Sequence, residues 1–288
     1  MKQITVIGAG TMGHGIAHVS AMAGYNVMLT DQNRDILSSA IDRIKSNLDD
    51  GVERGKISQD DARSALGRIT CTSDLSQAVQ KAGLVIEAVI EDLGVKQELF
   101  RTAERHVSVD TVLATNTSSL PIGEIAACTT RPAQVIGMHF FNPVHIMKLI
   151  ELIAHDGTSS DTLAQVEEVA IKMGKTAIKV KDTPGFATSR LGVVLGLEAM
   201  RMVEQAVASA DDIDKAMELG YGHPMGPLKV SDLVGLDIRL AIAKHLHGKL
   251  KDDQYKPPRI LTDMVKKGDL GRKSGKGFYE WESTKTSC

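Results

Sequence analysis

The stretch Gln3–Asn33, QITVIGAGTMGHGIAHVSAMAGYNVMLTDQN, decides how the rest of the chain is read. ITVI is a short β-branched run, the kind of strand that is buried on both faces. Gly8, Gly10 and Gly13 follow as G-x-G-x-x-G, with Thr11 and Met12 inside the loop. IAHVSAMAGY then reads as a helix, with Gly24 near its end. NVMLTD is a second strand ending at Asp31, 23 residues after Gly8. Each glycine has a separate physical task. Gly8 allows a tight turn, Gly10 lets the backbone approach a pyrophosphate, and Gly13 lets helix and strand pack closely. The helix N-terminus offers free N–H groups and a positive dipole end to the phosphates. An acid at Asp31 can accept both ribose hydroxyls of an adenosine, and its charge repels a 2′-phosphate. A dinucleotide site is expected here, with NAD favoured over NADP.

Outward from this unit the pattern alternates. Asp35 to about Gly67 is charged and helical in period, broken near Gly51 to Gly55, which predicts a helical hairpin standing off the sheet. Ser58 with Asp61 is an N-cap pattern within it. ITCTSD and GLVIEAVI are further strands, and EDLGVKQELFRTAERHV is an amphipathic helix with Val95, Leu99 and Thr102 on one side. TVLATNTSSL, AQVIGMHFF and MKLIELIA add strands, and DTLAQVEEVAIKMGKTAIKV adds a helix and a strand. The expected class is an α/β Rossmann-type fold, a mostly parallel sheet with a helical hairpin insert.

After KDTPGF no strong strand is evident, so a boundary is placed after residue 182, with an all-α C-terminal domain over 183–288. Leu191, Leu195, Ala199, Met202 and Ala206 form a helical stripe, and Ser209 with Asp212 caps a short helix that stops at Gly220. VSDLVGLDIRLAIAKHL reads as one helix with Leu233, Leu236, Leu240 and Ala243 on one face. A domain this apolar and glycine-rich is expected to bury surface in a homodimer.

Composition narrows the function classes. Of the 288 residues 24% are charged and 42% hydrophobic, with a formal net charge of -2. No basic stripe with interleaved aromatics points to nucleic acid, and no apolar run reaches a membrane span of ~18 residues. The N-terminus lacks the layout of a signal peptide, so the cytoplasm is the default expectation. Cys71, Cys128 and Cys288 are far apart and form no metal-ligand spacing, so free thiols and no metal are expected. His245 and His247 are two residues apart, on different faces of a helix, and read as a solvated helix end.

In open α/β sheets ligands sit at the C-terminal ends of strands. The polar residues there are Glu91, the NTSS turn with Asn116 and Ser118, and the segment MHFFNPVHIMKLIE, Met138–Glu151. Glu87 lies inside its strand and is expected to face a structural partner. His139 and Glu151 can meet if their strands are neighbours joined by a turn at Asn142-Pro143. A carboxylate that holds an imidazole in one tautomer is a standard base arrangement. The rival reading is a buried pair that only stabilises the fold. His145 has no spaced acid partner and reads as a local loop histidine.

Taken as a set, GAGTMGHGIA, EDLGVKQELF, ATNTSSLPI, GMHFFNPVHIMKLIELI, DTPGF and LGRKSGKGFYEW resemble the L-3-hydroxyacyl-CoA dehydrogenases, nearest to the short bacterial 3-hydroxybutyryl-CoA type. The resemblance runs from Ile4 to Trp281. NTSSL and HFFNPV are specific, whereas the glycine motif is shared with many dehydrogenases. It implies NAD-dependent, reversible oxidation of a (S)-3-hydroxyacyl-CoA, with His139 as catalytic base and Glu151 as the acid that orients it. It implies that Ser118 touches substrate and cofactor and that Asn142 lies near the nicotinamide. Glu91, Lys96 and Lys273 match cofactor contacts. Asn47 and Arg54 of the hairpin lie near the places that meet CoA. The family pattern PGF-x-x-NR departs here to PGFATSR, which puts the shorter Ser189 at a substrate position.

Two other readings stand beside this one. A dehydrogenase of free hydroxyacids would carry a lysine on the helix after the boundary, and PGFATSRLGVVLGLEAM has none. A non-catalytic dinucleotide-binding protein would have no need of the His139–Glu151 pair.

Overall fold

The computed structural model describes residues 2–282; Cys288, expected as a free thiol, lies outside them. The chain divides into two compact units, the first up to Thr183 and the second from Pro184. In the first, eight strands form one sheet in the order β3-β2-β1-β4-β5-β6-β7-β8. These are β1 (Gln3–Ile7), β2 (Asn26–Thr30), β3 (Ile69–Thr72), β4 (Leu84–Glu87), β5 (Val112–Thr115), β6 (Val135–Phe140), β7 (Leu149–Ala154) and β8 (Thr176–Lys181). All neighbours pair in parallel except β6 and β7. Continuous burial of β4, β5 and β6 follows from helices covering both faces, which is why these strands read as apolar runs rather than alternating ones. The strand order reverses at β1 and β4, which opens a crevice at their carboxyl ends.

The helices are set by local signals. The helix α1 (Gly13–Met22) is buried along most of its length, so its sequence is apolar all round. The hairpin is α2 (Arg34–Glu53) and α3 (Gln59–Gly67). Asn33 caps α2 by accepting from the N–H groups of Asp35 and Ile36, and Ser58 caps α3 by accepting from Asp61 N–H at 3.0 Å. The break falls just after α2, at Arg54 to Ser58, because the helix carries through Gly51. Leu37, Ala40, Ile44 and Leu48 turn inward from α2, against α1 and α3. The crossovers that follow are α4 (Leu75–Val79), α5 (Leu93–Glu104), α6 (Ile122–Ala126) and α7 (Ser160–Lys172).

The second unit is helical, with α8 (Thr188–Glu204), α9 (Ala210–Gly220), α10 (Pro227–Val234), α11 (Leu236–Leu250) and α12 (Arg259–Lys267). Two expectations are corrected here. Of the expected stripe on α8, Ala199 is buried and Met202 packs against the core beside Val193, Leu197 and Met200, while Leu191 is 73% exposed and Ala206 lies past the helix end at a φ of 56°. The expected single helix over 230–246 is two, because Gly235 takes a φ of 100° between α10 and α11 and leaves Leu233 outside the core. Ser209 does cap α9 through Asp212 N–H at 3.1 Å. A buried aspartate organises the C-terminal segment. Asp232 accepts from the N–H groups of Phe278 and Tyr279, each at 3.0 Å, and from the Trp281 indole at 2.8 Å. A Cβ on Gly277 would stand 2.1 Å from that carboxylate, so this position takes glycine. Among the described residues no helix is long and apolar enough to cross a membrane.

Candidate active site

The glycine loop lies where β1 ends and α1 begins. Gly8 has a φ of 95°, and a Cβ there would stand 2.6 Å from Ala88 O. A Cβ on Gly13 would stand 1.7 Å from Gly8 O, so loop and helix close on each other only without a side chain. Gly10 differs, since a Cβ there would meet nothing within 4 Å. Protein packing does not require glycine at Gly10, and its absent side chain leaves the backbone open to close approach. No side chain caps α1, and although His14 N–H donates to Gly10 O at 3.2 Å, the positive end of the helix dipole faces the loop. Asp31 accepts from Ala9 N–H at 2.9 Å and from Asn33 N–H at 3.0 Å, which fixes its carboxylate beside the loop.

A cleft of about 1130 Å³ opens in front of this loop and is lined by Gly8, Gly10, Thr11, Met12, Asp31 and the side chains of Val95, Leu99 and Thr102. The apolar side of α5 read from the sequence is therefore cleft wall. The side that faces the core is Lys96, Phe100 and Ala103. A pyrophosphate loop, an acid at the ribose position and an apolar wall beyond it together fit a dinucleotide.

Beside the cleft lies a buried ionic network. Glu87, fully buried in β4, accepts from Lys96 Nζ at 2.6 Å, Thr115 Oγ1 at 2.7 Å and Val89 N–H at 2.6 Å. This is the structural partner expected for Glu87. Lys96 is 1% exposed and its ammonium is shared with Glu91 at 3.4 Å, so it bears on the site through Glu91. Glu91 in turn gathers the NTSS turn. It accepts from Thr117 Oγ1 at 2.6 Å, Ser118 N–H at 2.8 Å, Ser118 Oγ at 3.1 Å and Ser119 N–H at 3.2 Å. Burial works to raise the Glu91 pKa, but the Thr117 hydroxyl, the Lys96 charge and the Ser118 donors outweigh it and hold it below the usual carboxylate value. Ser118 itself is exposed at the turn. Asn116 bridges from this turn to β6, its Oδ1 accepting from Phe140 N–H at 2.9 Å.

On the antiparallel pair β6 and β7, His139 and Glu151 stand directly opposite each other. Nδ1 of His139 is 2.7 Å from Oε2 of Glu151. Glu151 is fully buried and His139 is 8% exposed, with its ring tilted against Phe141 at a centroid distance of 4.5 Å. The loop between the strands carries Asn142, exposed, on a cis bond to Pro143. His145 stacks at 5.5 Å on His18 of α1, a partner the sequence did not reveal.

The remaining expected site residues are more dispersed. Asn47 is half-buried on α2 and Arg54 is exposed just past its end. In the second unit Ser189 sits in the first turn of α8, and Lys273 pairs with Asp237 at 2.6 Å. Among the described residues no group of three or more His, Cys, Asp or Glu side chains is placed to hold a metal ion, and His247 lies 3.6 Å from Asp253. Cys71 and Cys128 are free thiols.

Comparison with known proteins gives the family. The family model of the 3-hydroxyacyl-CoA dehydrogenase NAD binding domain matches residues 3–183, and that of the C-terminal domain matches 185–281. A probable 3-hydroxybutyryl-CoA dehydrogenase of Bacillus subtilis is 46% identical over 287 residues, covering 100% of this chain and 99% of its own. The human mitochondrial hydroxyacyl-coenzyme A dehydrogenase is 39% identical, covering 98% of this chain and 92% of its own. The crystal structure of (S)-3-hydroxybutyryl-CoA dehydrogenase from Ralstonia eutropha matches with a TM-score of 0.95 at 37% identity, over 98% of this chain and 100% of that one. On both domain matches, and on identity that extends from end to end, this chain belongs to the family of NAD-dependent 3-hydroxyacyl-CoA dehydrogenases.

Proposed function

We propose that this enzyme interconverts (S)-3-hydroxybutyryl-CoA and acetoacetyl-CoA, with His139 as general base and Glu151 as its partner. The observation that carries the reading is the His139–Glu151 contact of 2.7 Å between side chains opposed on adjacent strands. The four-carbon substrate is supported by the names of the Bacillus subtilis and Ralstonia eutropha relatives. NAD, when bound, supplies the acceptor for the hydride that leaves C3 of the substrate. Gly8, Gly10, Thr11, Met12 and Gly13 would hold its pyrophosphate, and Asp31 its adenosine ribose. Glu91, with Lys96 behind it, presents the Ser118 turn to cofactor and substrate, and Asn142 bears on the nicotinamide end. Lys273 is assigned a further cofactor contact, and Ser189, Asn47 and Arg54 contacts to the acyl-CoA.

The proton is handled by the chain itself. The carboxylate of Glu151 accepts from Nδ1–H, so the lone pair of the neutral ring is on Nε2. Nε2 takes the 3-hydroxyl proton as the C3–H bond breaks and the carbonyl forms. Glu151 stabilises the resulting imidazolium. In the reverse direction His139 returns that proton to the new hydroxyl oxygen. A base positioned in this way contributes roughly 10²–10⁴ in rate.

The test is NADH oxidation with acetoacetyl-CoA, with free acetoacetate, and with 3-oxoacyl-CoA thioesters of increasing length. The highest kcat/KM is expected for acetoacetyl-CoA. Equal turnover of free acetoacetate would overturn the CoA reading, and a higher kcat/KM on a long-chain thioester the four-carbon one. We also propose that the second unit joins two copies of the chain. Leu191, Leu219 and Tyr221 present large apolar side chains to solvent there. Sedimentation at micromolar concentration should give the mass of a dimer, and a monomer mass would reject that assignment.

A further inference from the structure

We infer that Lys175 is a positioning residue for the reaction, the internal cation around which the loop Phe141 to Lys148 is shaped. This rests on the proposed roles of His139 and Asn142. Lys175 lies between α7 and β8 and is 8% exposed. Among the described residues no carboxylate pairs with it, which is costly for a buried ammonium. Burial accordingly pushes its pKa down. Its Nζ donates instead to two main-chain carbonyls of the loop, Val144 O and, at 2.8 Å, Met147 O. The loop closes on itself at the same place, because Ile146 N–H and Met147 N–H both donate to Pro143 O, at 3.0 Å and 2.9 Å. The ammonium therefore does for this loop what a bound cation does for a carbonyl cage.

The opposite side of the loop is seated on α1. Val144 is buried against Gly15, where a Cβ would stand 2.8 Å from Val144 Cβ, and His145 stacks on His18. The loop is thus held between the helix that serves the dinucleotide and a lysine from the far side of β7. Its two ends run directly into the strands that carry His139 and Glu151, and Asn142 is inside it. The rest of its surface is open to solvent, so these internal contacts fix its shape. A displacement of about 1 Å at reacting groups costs up to ~10²-fold in rate even when its origin is remote.

Lys175→Met keeps the side-chain volume and removes the donors. Turnover of acetoacetyl-CoA per NADH-binding site should fall roughly 10- to 100-fold, with the Kd for NADH within about twofold of wild type. Lys175→Arg restores a cation and should recover most of that loss. A lysine that served only stability would lower Tm and the fraction of competent sites, yet leave kcat per site intact. Unchanged kcat per site in Lys175→Met, or equal impairment of Lys175→Arg, would overturn the inference. Should Lys175→Met fail to fold, Gly15→Ala pushes Val144 from the other side, and there unchanged kcat per site overturns it as well. Wild-type protein inactive on every 3-oxoacyl-CoA would instead sink the functional reading, and this inference with it.

Discussion

His139 and Glu151 are cross-strand neighbours, 2.7 Å apart, on the one antiparallel pairing that the described residues form in an otherwise parallel sheet. They lie twelve positions apart in sequence, but the ladder makes them adjacent. His139→Gln should fold, bind NADH as wild type does, and lose about 10²–10⁴ in kcat. Glu151→Gln should lose less, because the base survives while its orientation and charge support are weakened. Steady-state kinetics with acetoacetyl-CoA and NADH titration read both variants. Activity of His139→Gln within about threefold of wild type would remove it from catalysis.

Asp31 accepts two backbone N–H groups at its own loop and keeps carboxylate lone pairs for a ligand. Asp31→Ala should raise the KM for NAD by roughly tenfold or more, since hydrogen bonds to charged groups contribute about 1.5–3 kcal/mol. It should also narrow the preference for NAD over NADP, because the charge that opposes a 2′-phosphate is gone. Initial rates with each dinucleotide measure both effects, and an unchanged KM for NAD would exclude Asp31 from the site.

Asp232 is fully buried and holds three donors of the C-terminal segment. Asp232→Asn keeps the shape but replaces one acceptor with an NH₂ donor facing N–H groups. A loss of about 1–3 kcal/mol in stability is expected. Urea denaturation compares the variants, and a midpoint equal to wild type would show that this aspartate holds nothing.

His18 is buried, its Nδ1 has no hydrogen-bond partner among the described residues, and its pKa is lowered to about 4. Burial is the main cause, followed by the charges of His145, His14 and Lys175. The unfolded chain takes up this proton near pH 6.5 and the folded chain only near 4, so the unfolded state binds more protons between those values. Stability is undiminished above about pH 6.5 and falls as pH drops through that window, by up to about 3 kcal/mol from this group. In His18→Phe that part of the slope should vanish. Urea titrations at pH 7.5 and 4.5 report the difference, and parallel slopes in both proteins would refute it.

The glycine loop, Asp31 and the His139–Glu151 pair were legible because their chemistry depends on residue type at fixed spacing. The side of α5 that carries Val95, Leu99 and Thr102 was not. Hydrophobic period marks any surface that avoids water, and a cofactor cleft does so as fully as a core. Lys96 shows the reverse case. A lysine reads as surface or ligand contact, and only the fold turns it back onto Glu87 at the end of the preceding strand, which neutralises it. Gly235 was hidden inside an apolar helical pattern, since its φ of 100° has no signature beyond the residue type itself. Lys175 and His18 gained their surroundings from the loop that folds over them, which no local pattern encodes.

The antiparallel register of β6 and β7 has a consequence for how this enzyme can change. Side chains alternate faces along a strand, so a shift of one residue would send His139 and Glu151 to opposite sides of the sheet. Their contact is therefore a pin that forbids slippage. The residues between Asn142 and Lys148 lie outside that register, and their shape is set instead by hydrogen bonds to Lys175 Nζ and to Pro143 O. One hairpin is thus held in two ways, its strands by register and its loop by internal hydrogen bonds, and a change to either reaches the other through Phe140 and Leu149.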